Sequence, residues 1–216
     1  MFRRFVFSWY KISPFAAGIL AIVACMGEWD LTEKMVLAST AVLFLHFYEE
    51  FGCPGGFPWI GLHVEMGVTD TDSKTWSLNQ LNSMVGNWWF GIVVFPITLA
   101  FPNAHFLALA VALFAFLEVA MHLIGFNVPF RTLYNPGLGT ALFGLMPLSI
   151  WYLVQTVPTG LFTWVDIVLA LVWIVFNYWL VFRSPLYKHL GKKSDRYAFT
   201  EEEVMLAKRY MERAKH

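Results

Sequence analysis

The stretch MVLASTAVLFLHFYEEF, residues 35–51, runs through largely apolar sequence and then ends on a histidine and two adjacent glutamates. Whether it is a soluble helix with a polar end or a membrane helix with a buried polar end decides the fold. Composition favours the membrane. Of 216 residues, 58% are hydrophobic and only 14% charged, and mean hydropathy is +0.56. Soluble domains carry roughly 25% charged residues. The apolar runs are continuous and do not alternate, so spanning helices are expected, not barrel strands.

Working outward, six runs approach the roughly 20 residues that a bilayer needs. They cover about 13–29, 32–51, 82–101, 104–125, 137–157 and 162–183. MFRRFVFSWYK precedes the first run without a small-residue cleavage pattern, so the run is expected to be a retained helix. Lys and Arg collect in cytoplasmic loops. With six spans, fourteen of the fifteen Lys and Arg fall on one side and Lys34 alone on the other. The expected architecture is therefore an all-α polytopic bundle of about six transmembrane helices, N-in and C-in, over residues 1–184. Residues 185–216 form a basic cytoplasmic tail. In it, Thr200 and Glu203 have capping-box spacing, and Val204, Leu206, Ala207, Tyr210 and Met211 suggest one amphipathic helix.

Ionisable groups inside a membrane are costly and usually functional. Steps of three and four residues put His46, Glu49 and Glu50 on one side of the second span. In the fourth span, Glu118 and His122 are four residues apart and so share a face. With the topology set by Lys and Arg alone, all five reach the same depth near the cytoplasmic side. Asn79, Asn82, Ser83 and Asn87 open the third span there, RTLYNPG (131–137) opens the fifth, and Asn177 and Tyr178 lie toward the end of the sixth.

Two imidazoles and several carboxylates suit zinc, iron or manganese. The expected ligands are His46, Glu49, Glu50, Glu118 and His122, with Glu49 also a candidate general base. A mononuclear site needs two His and one Glu plus water. A dinuclear one would draw on Glu65 as a fourth carboxylate. Expected to orient ligands or touch substrate are His63, Asn82, Asn87, Arg131, Tyr134 and Asn135. Plainer roles compete: His63 as a solvated loop residue, the Asn stripe as helix–helix glue, Arg131 as an ordinary positive-inside residue. The Gly- and Pro-rich 52–81 loop is either a lid or a connector carrying aromatic anchors.

HFYEE at 46–50, the later Glu–His pair, and YNPG at 134–137 followed by LGTALFGLMPLSIW together resemble the HXXEE domain family of bacterial membrane proteins. The resemblance covers roughly residues 31–157. It implies a polytopic membrane fold, a bacterial inner-membrane location and a shared site carried by His46, Glu49, Glu50, Tyr134, Asn135 and Gly137. It implies no reaction.

The expected activity is that of a metal-dependent enzyme, with zinc or iron in a mono- or dinuclear site facing the cytoplasm. It would act on a lipidic or amphipathic substrate, with hydrolysis ahead of diiron oxidation. A metal-free acid–base isomerase of sterol- or isoprenoid-like substrates and a proton-coupled transporter are the alternatives. Membrane lipids are the expected partners and a homodimer is left open. Zero formal net charge gives no sign of nucleic acid. Two cysteines, Cys25 and Cys53, give neither a disulfide framework nor a thiolate metal site.

Overall fold

The computed structural model describes residues 2–215, and among these there are helices but no strands. A short helix α1 (Phe2–Val6) leads into α2 (Trp9–Met26), which packs along α3 (Leu31–Phe51). Next come α4 (Phe57–Met66), α5 (Gln80–Ala100), α6 (His105–Phe126), α7 (Leu138–Thr159) and α8 (Trp164–Phe182). Short helices α9 (Pro185–Gly191), α10 (Ser194–Tyr197), α11 (Glu201–Met205) and α12 (Lys208–Arg213) complete the chain.

Five segments are long and apolar enough to cross a membrane: α2, α5, α6, α7 and the α8–α9 stretch Trp164–Gly191. The first begins at Trp9, ahead of the expected residue 13, because Lys11 and Pro14 are accommodated in its opening turns. The 21-residue α3 is the most enclosed of the long helices. Its buried residues run from Met35 to Phe51 and include His46, Glu49 and Glu50. Asp30 and Glu33 start it with a capping box, the reciprocal arrangement that satisfies two free amides. The outer face of α8 stays exposed at Val168, Leu171, Val172 and Val175, as a lipid-facing helix would.

Three of the long helices contain a wide π-turn: Phe90–Val94 in α5, Met121–Phe126 in α6 and Ala141–Leu145 in α7. Such turns are frequent at functional sites, and the one in α6 carries His122. The 52–81 loop is not wholly irregular. It turns at Gly55 and Gly56, both at positive φ, and then forms α4.

The tail packs against the bundle. Glu203 Oε1 accepts from Tyr10 Oη at 2.7 Å and from Gln80 Nε2 at 2.8 Å. Ser73 Oγ donates to the Phe199 carbonyl at 2.6 Å. Thr200 caps α11 through the box with Glu203, but the expected single helix is two, broken at Leu206 and Ala207. The buried residues Val204, Ala207 and Tyr210 recur every three positions, closer than the 3.6 residues of an α-turn. A tightened turn meets that spacing and leaves Leu206 exposed. There the backbone runs against Gly56, where a Cβ would stand 2.8 Å from the Ala207 nitrogen.

Candidate metal centre

His46 and Glu50 are one turn apart on α3, and Glu118 and His122 one turn apart on α6. Each imidazole faces both carboxylates. His46 Nε2 lies 3.4 Å from Glu50 Oε1 and 3.6 Å from Glu118 Oε2. His122 Nε2 lies 3.7 Å from each of the same two oxygens. Ligand atoms of His46, Glu118 and His122 all fall within 4.8 Å of one another, and Glu50 completes an alternating ring of nitrogen and oxygen. These spacings exceed most hydrogen bonds. They are close to the roughly 3.3–3.6 Å between neighbouring ligands of a tetrahedral zinc, and His46, Glu118 and His122 are the three that meet as one group, with Glu50 at its side.

The tautomers follow from what the other ring nitrogens meet. His46 Nδ1 lies 3.1 Å from the Gly137 carbonyl, which can only accept, and 3.0 Å from Thr140 Oγ1. His122 Nδ1 faces Asn135 Oδ1. Asn135 Nδ2 is meanwhile committed to the His122 carbonyl at 2.9 Å and Asn127 Oδ1 at 2.7 Å. Both Nδ1 atoms are thus donors, and in the neutral imidazoles both Nε2 lone pairs then point into the ring. His122 Nε2 is buried with no hydrogen-bond partner, a costly arrangement for an apolar interior and the ordinary one for a ligand atom. Glu118 is oriented by a hydrogen bond from Tyr178 Oη to Oε1. Partners of this kind fix ligand geometry in metal sites.

Glu49 departs from expectation. On a helix it stands about 100° from Glu50, so the two side chains diverge. Glu49 Oε1 accepts from Tyr134 Oη at 2.8 Å and the Gly139 amide at 3.0 Å. Its Oε2 accepts from the Thr140 amide at 2.7 Å and Thr140 Oγ1 at 2.6 Å. A carboxylate here satisfies free amides at the start of α7 and suits the helix dipole. Four donors leave it no place as a ligand or base, so its expected role gives way to that of a clamp. Thr140 passes the clamp on to His46. Burial, then the bond to Glu49, raises the Tyr134 phenol above its ordinary range, so it remains a donor.

The other expected residues divide. Asn135 orients His122 directly. Asn82 and Asn87 line the cavity beside the ring, but Asn82 is mainly a cap: with Asn79 it forms the capping box of α5. His63 Nδ1 donates to the Val68 carbonyl at 2.8 Å and the ring stacks on Trp59, outside the cavity lining. Arg131 sits on an exposed turn at φ 47°, its carbonyl held by Arg213 at 2.7 Å. Glu65 lines the cavity but does not join the ring, so no set of four carboxylates forms. Burial raises its pKa, Arg183 opposes, and Glu118 and Glu50 add to the rise.

Gly139 and Thr140 are site residues that sequence reasoning missed, and Gly137, which the family resemblance named, gains a physical role. Gly137 has φ 101°, and a Cβ there would stand 2.3 Å from His122 Cε1 and 2.9 Å from His46 Cε1. A Cβ on Gly139 would stand 2.9 Å from Glu49 Oε1. For Gly139 the signal was the glycine pair itself, after a proline.

An all-helical bundle with membrane-length apolar helices, enclosing a buried ring of two histidines and two glutamates, defines a class of protein with a polar centre inside an apolar frame. The chain belongs to a family described as "Protein of unknown function with HXXEE motif", whose pattern matches residues 37–152. That span holds all four ring residues together with Glu49, Asn135, Gly137 and Thr140, and omits Tyr178 and the tail. No curated protein and no solved structure matches the chain.

Proposed function

We propose that the chain is a membrane-embedded enzyme with one divalent ion, zinc or iron, held by His46, Glu118 and His122 with Glu50 beside the open fourth position, and that it hydrolyses a lipidic or amphipathic substrate. The ring carries the reading: two imidazole lone pairs of fixed tautomer facing two carboxylates, one of them the unpartnered Nε2 of His122. An ion bound there would polarise a substrate oxygen and make water a better nucleophile. Two ring carboxylates, in place of the four a dinuclear site takes, favour hydrolysis over diiron oxidation.

The chain's own residues divide the remaining work. Glu118, tied by Tyr178, is the fixed carboxylate. Among the described residues Glu50 accepts no hydrogen bond beyond its ring contacts, and it lines the cavity, so it is the carboxylate free to take a proton from water. The cavity measures about 100 Å³ and is otherwise walled largely by aromatic and aliphatic side chains, including Phe47, Phe90 and Phe114. Such walls exclude bulk water and strengthen the electrostatics within.

Purified protein is expected to carry about one zinc or iron per chain. His46→Ala or His122→Ala should bring that below a tenth, and Asn135→Ala should weaken affinity about 10–100-fold. Substoichiometric metal that all three variants leave unchanged would sink the reading.

In the same reading α3 is a sixth crossing, both termini are cytoplasmic, and the ring lies in the cytoplasmic half of the membrane. Support comes from the fourteen-to-one division of Lys and Arg. A fluorescent reporter that folds only in the cytoplasm, fused after residue 216, should light up. An exported phosphatase at the same position should stay inactive, and the opposite pair of results would reverse the orientation.

A further inference from the structure

A second hollow, of about 220 Å³, lies beside the cavity that holds the ring. Val85 and Trp89 of α5, Leu180 of α8, and Leu186 and Leu190 of α9 line it. Leu186 is about half exposed, so the hollow is a groove open to the surface. Asn82, Gly86, Val181 and Tyr187 line both spaces. Gly86 brings no side chain to this partition, and a Cβ there would meet Val181 Cβ at 3.4 Å.

Two further observations constrain what the cavity takes. None of the described residues lining it is Lys or Arg, and Arg183, which acts on Glu65, is not in the lining. Even with a divalent ion in the ring, its charge is offset by Glu50 and Glu118, and no Lys or Arg in the lining would neutralise a phosphate head beside Glu65, a poor match. Ser83 lines the cavity from α5, and its Oγ is buried with no partner. Ser83 is only 3% exposed, so an unsatisfied hydroxyl here is costly unless a ligand completes it.

We propose that the substrate is a single-chain amphiphile with an uncharged carbonyl head group, an ester or amide. Its head lies between the ring and the Ser83 hydroxyl, and its chain passes Gly86 into the groove between α5 and α8–α9. The inference rests on the ring as the reacting centre. Ser83 is a binding residue that donates to the carbonyl oxygen. The groove supplies the apolar surface that draws the chain from the bilayer.

The test uses full-length protein in nanodiscs and two photoreactive probes with the same diazirine-bearing C16 chain, one a methyl ester and one an alkyl phosphate. The ester should label Val85, Leu186 or Leu190 on illumination, and excess methyl palmitate should suppress that labelling. The phosphate should label these residues at most about a tenth as well. Ser83→Ala should raise the ester's half-saturation about three- to tenfold, the loss of one neutral hydrogen bond. Gly86→Leu should abolish groove labelling without changing bound metal, and Val181→Phe fills the same partition from α8 if the first variant does not fold. Equal labelling by the phosphate, or labelling that neither partition variant alters, would overturn the proposal. Competed ester labelling in protein that binds no metal would fail the metal reading alone. Stoichiometric metal without competed labelling would fail this inference alone.

Discussion

Gly137→Ala is expected to remove bound metal to below a tenth of the wild-type level and to lower the thermal midpoint by roughly 10 °C. Two costs add. The residue adopts φ 101°, a conformation that strains a side chain by about 1–3 kcal/mol. The added Cβ would also stand 2.3 Å from His122 Cε1 and 2.7 Å from its Nε2. That imidazole cannot retreat, because its Nδ1 is held by Asn135 and Phe57 and Phe126 pack around its ring. Overpacking of this kind costs about 1–3 kcal/mol, and it falls on a ligand atom. Gly160, also at positive φ but with open space at its Cβ, is the control: Gly160→Ala should lower the midpoint by a smaller amount and leave the metal in place. Equal metal content in both variants would contradict the assignment of Gly137 to the ring.

The second large effect separates a clamp from a catalyst. Glu49→Ala leaves four donors without an acceptor in a buried place, and the expected loss is about 3–5 kcal/mol, again roughly 10 °C in the midpoint. Glu49→Gln should also destabilise, because an amide nitrogen would have to face either the Gly139 or the Thr140 N–H. Metal bound per folded Glu49→Gln molecule should stay near the wild-type value, since no ring distance involves Glu49. A general base would behave otherwise: Glu49→Gln would then leave stability unchanged and remove only turnover. Glu50→Gln supplies the contrast, with turnover falling about 10²–10⁴-fold for loss of a proton acceptor and little change in the midpoint.

Much of the frame could be read from the sequence because a bilayer permits few solutions. Long apolar runs must be helices, and charge within them must be enclosed, which is why His46, Glu50, Glu118 and His122 stood out. Choosing between Glu49 and Glu50 was beyond the periodicity. The two differ by about 100° around the helix, and only the position of α7 decides which side holds the ring. Asn79 and Asn82 look like site residues because capping and catalysis use the same side chains, and in the fold they mainly start α5. Gly137 and Gly139 act through close approach, which leaves no mark in hydropathy. The wide turn at Met121–Phe126 is equally silent, since a π-turn needs no special residue. The tail's placement depended on contacts with residues far away in sequence, such as Glu203 with Tyr10 and Gln80.

That tail holds the loop that builds the ring. Tyr210 Oη donates to the Tyr134 carbonyl at 3.0 Å, and Arg213 Nη1 reaches the Arg131 carbonyl at 2.7 Å. Between these carbonyls and α7 lie Asn135, which sets His122, and Gly137, whose carbonyl sets His46. On the ribosome, residues 207–213 emerge after everything they fasten. The long helices and all four ring residues can be made while the 131–137 turn still lacks its fastening. Closure of the 131–137 turn therefore waits on residues 207–213, which are synthesised after all four residues of the ring.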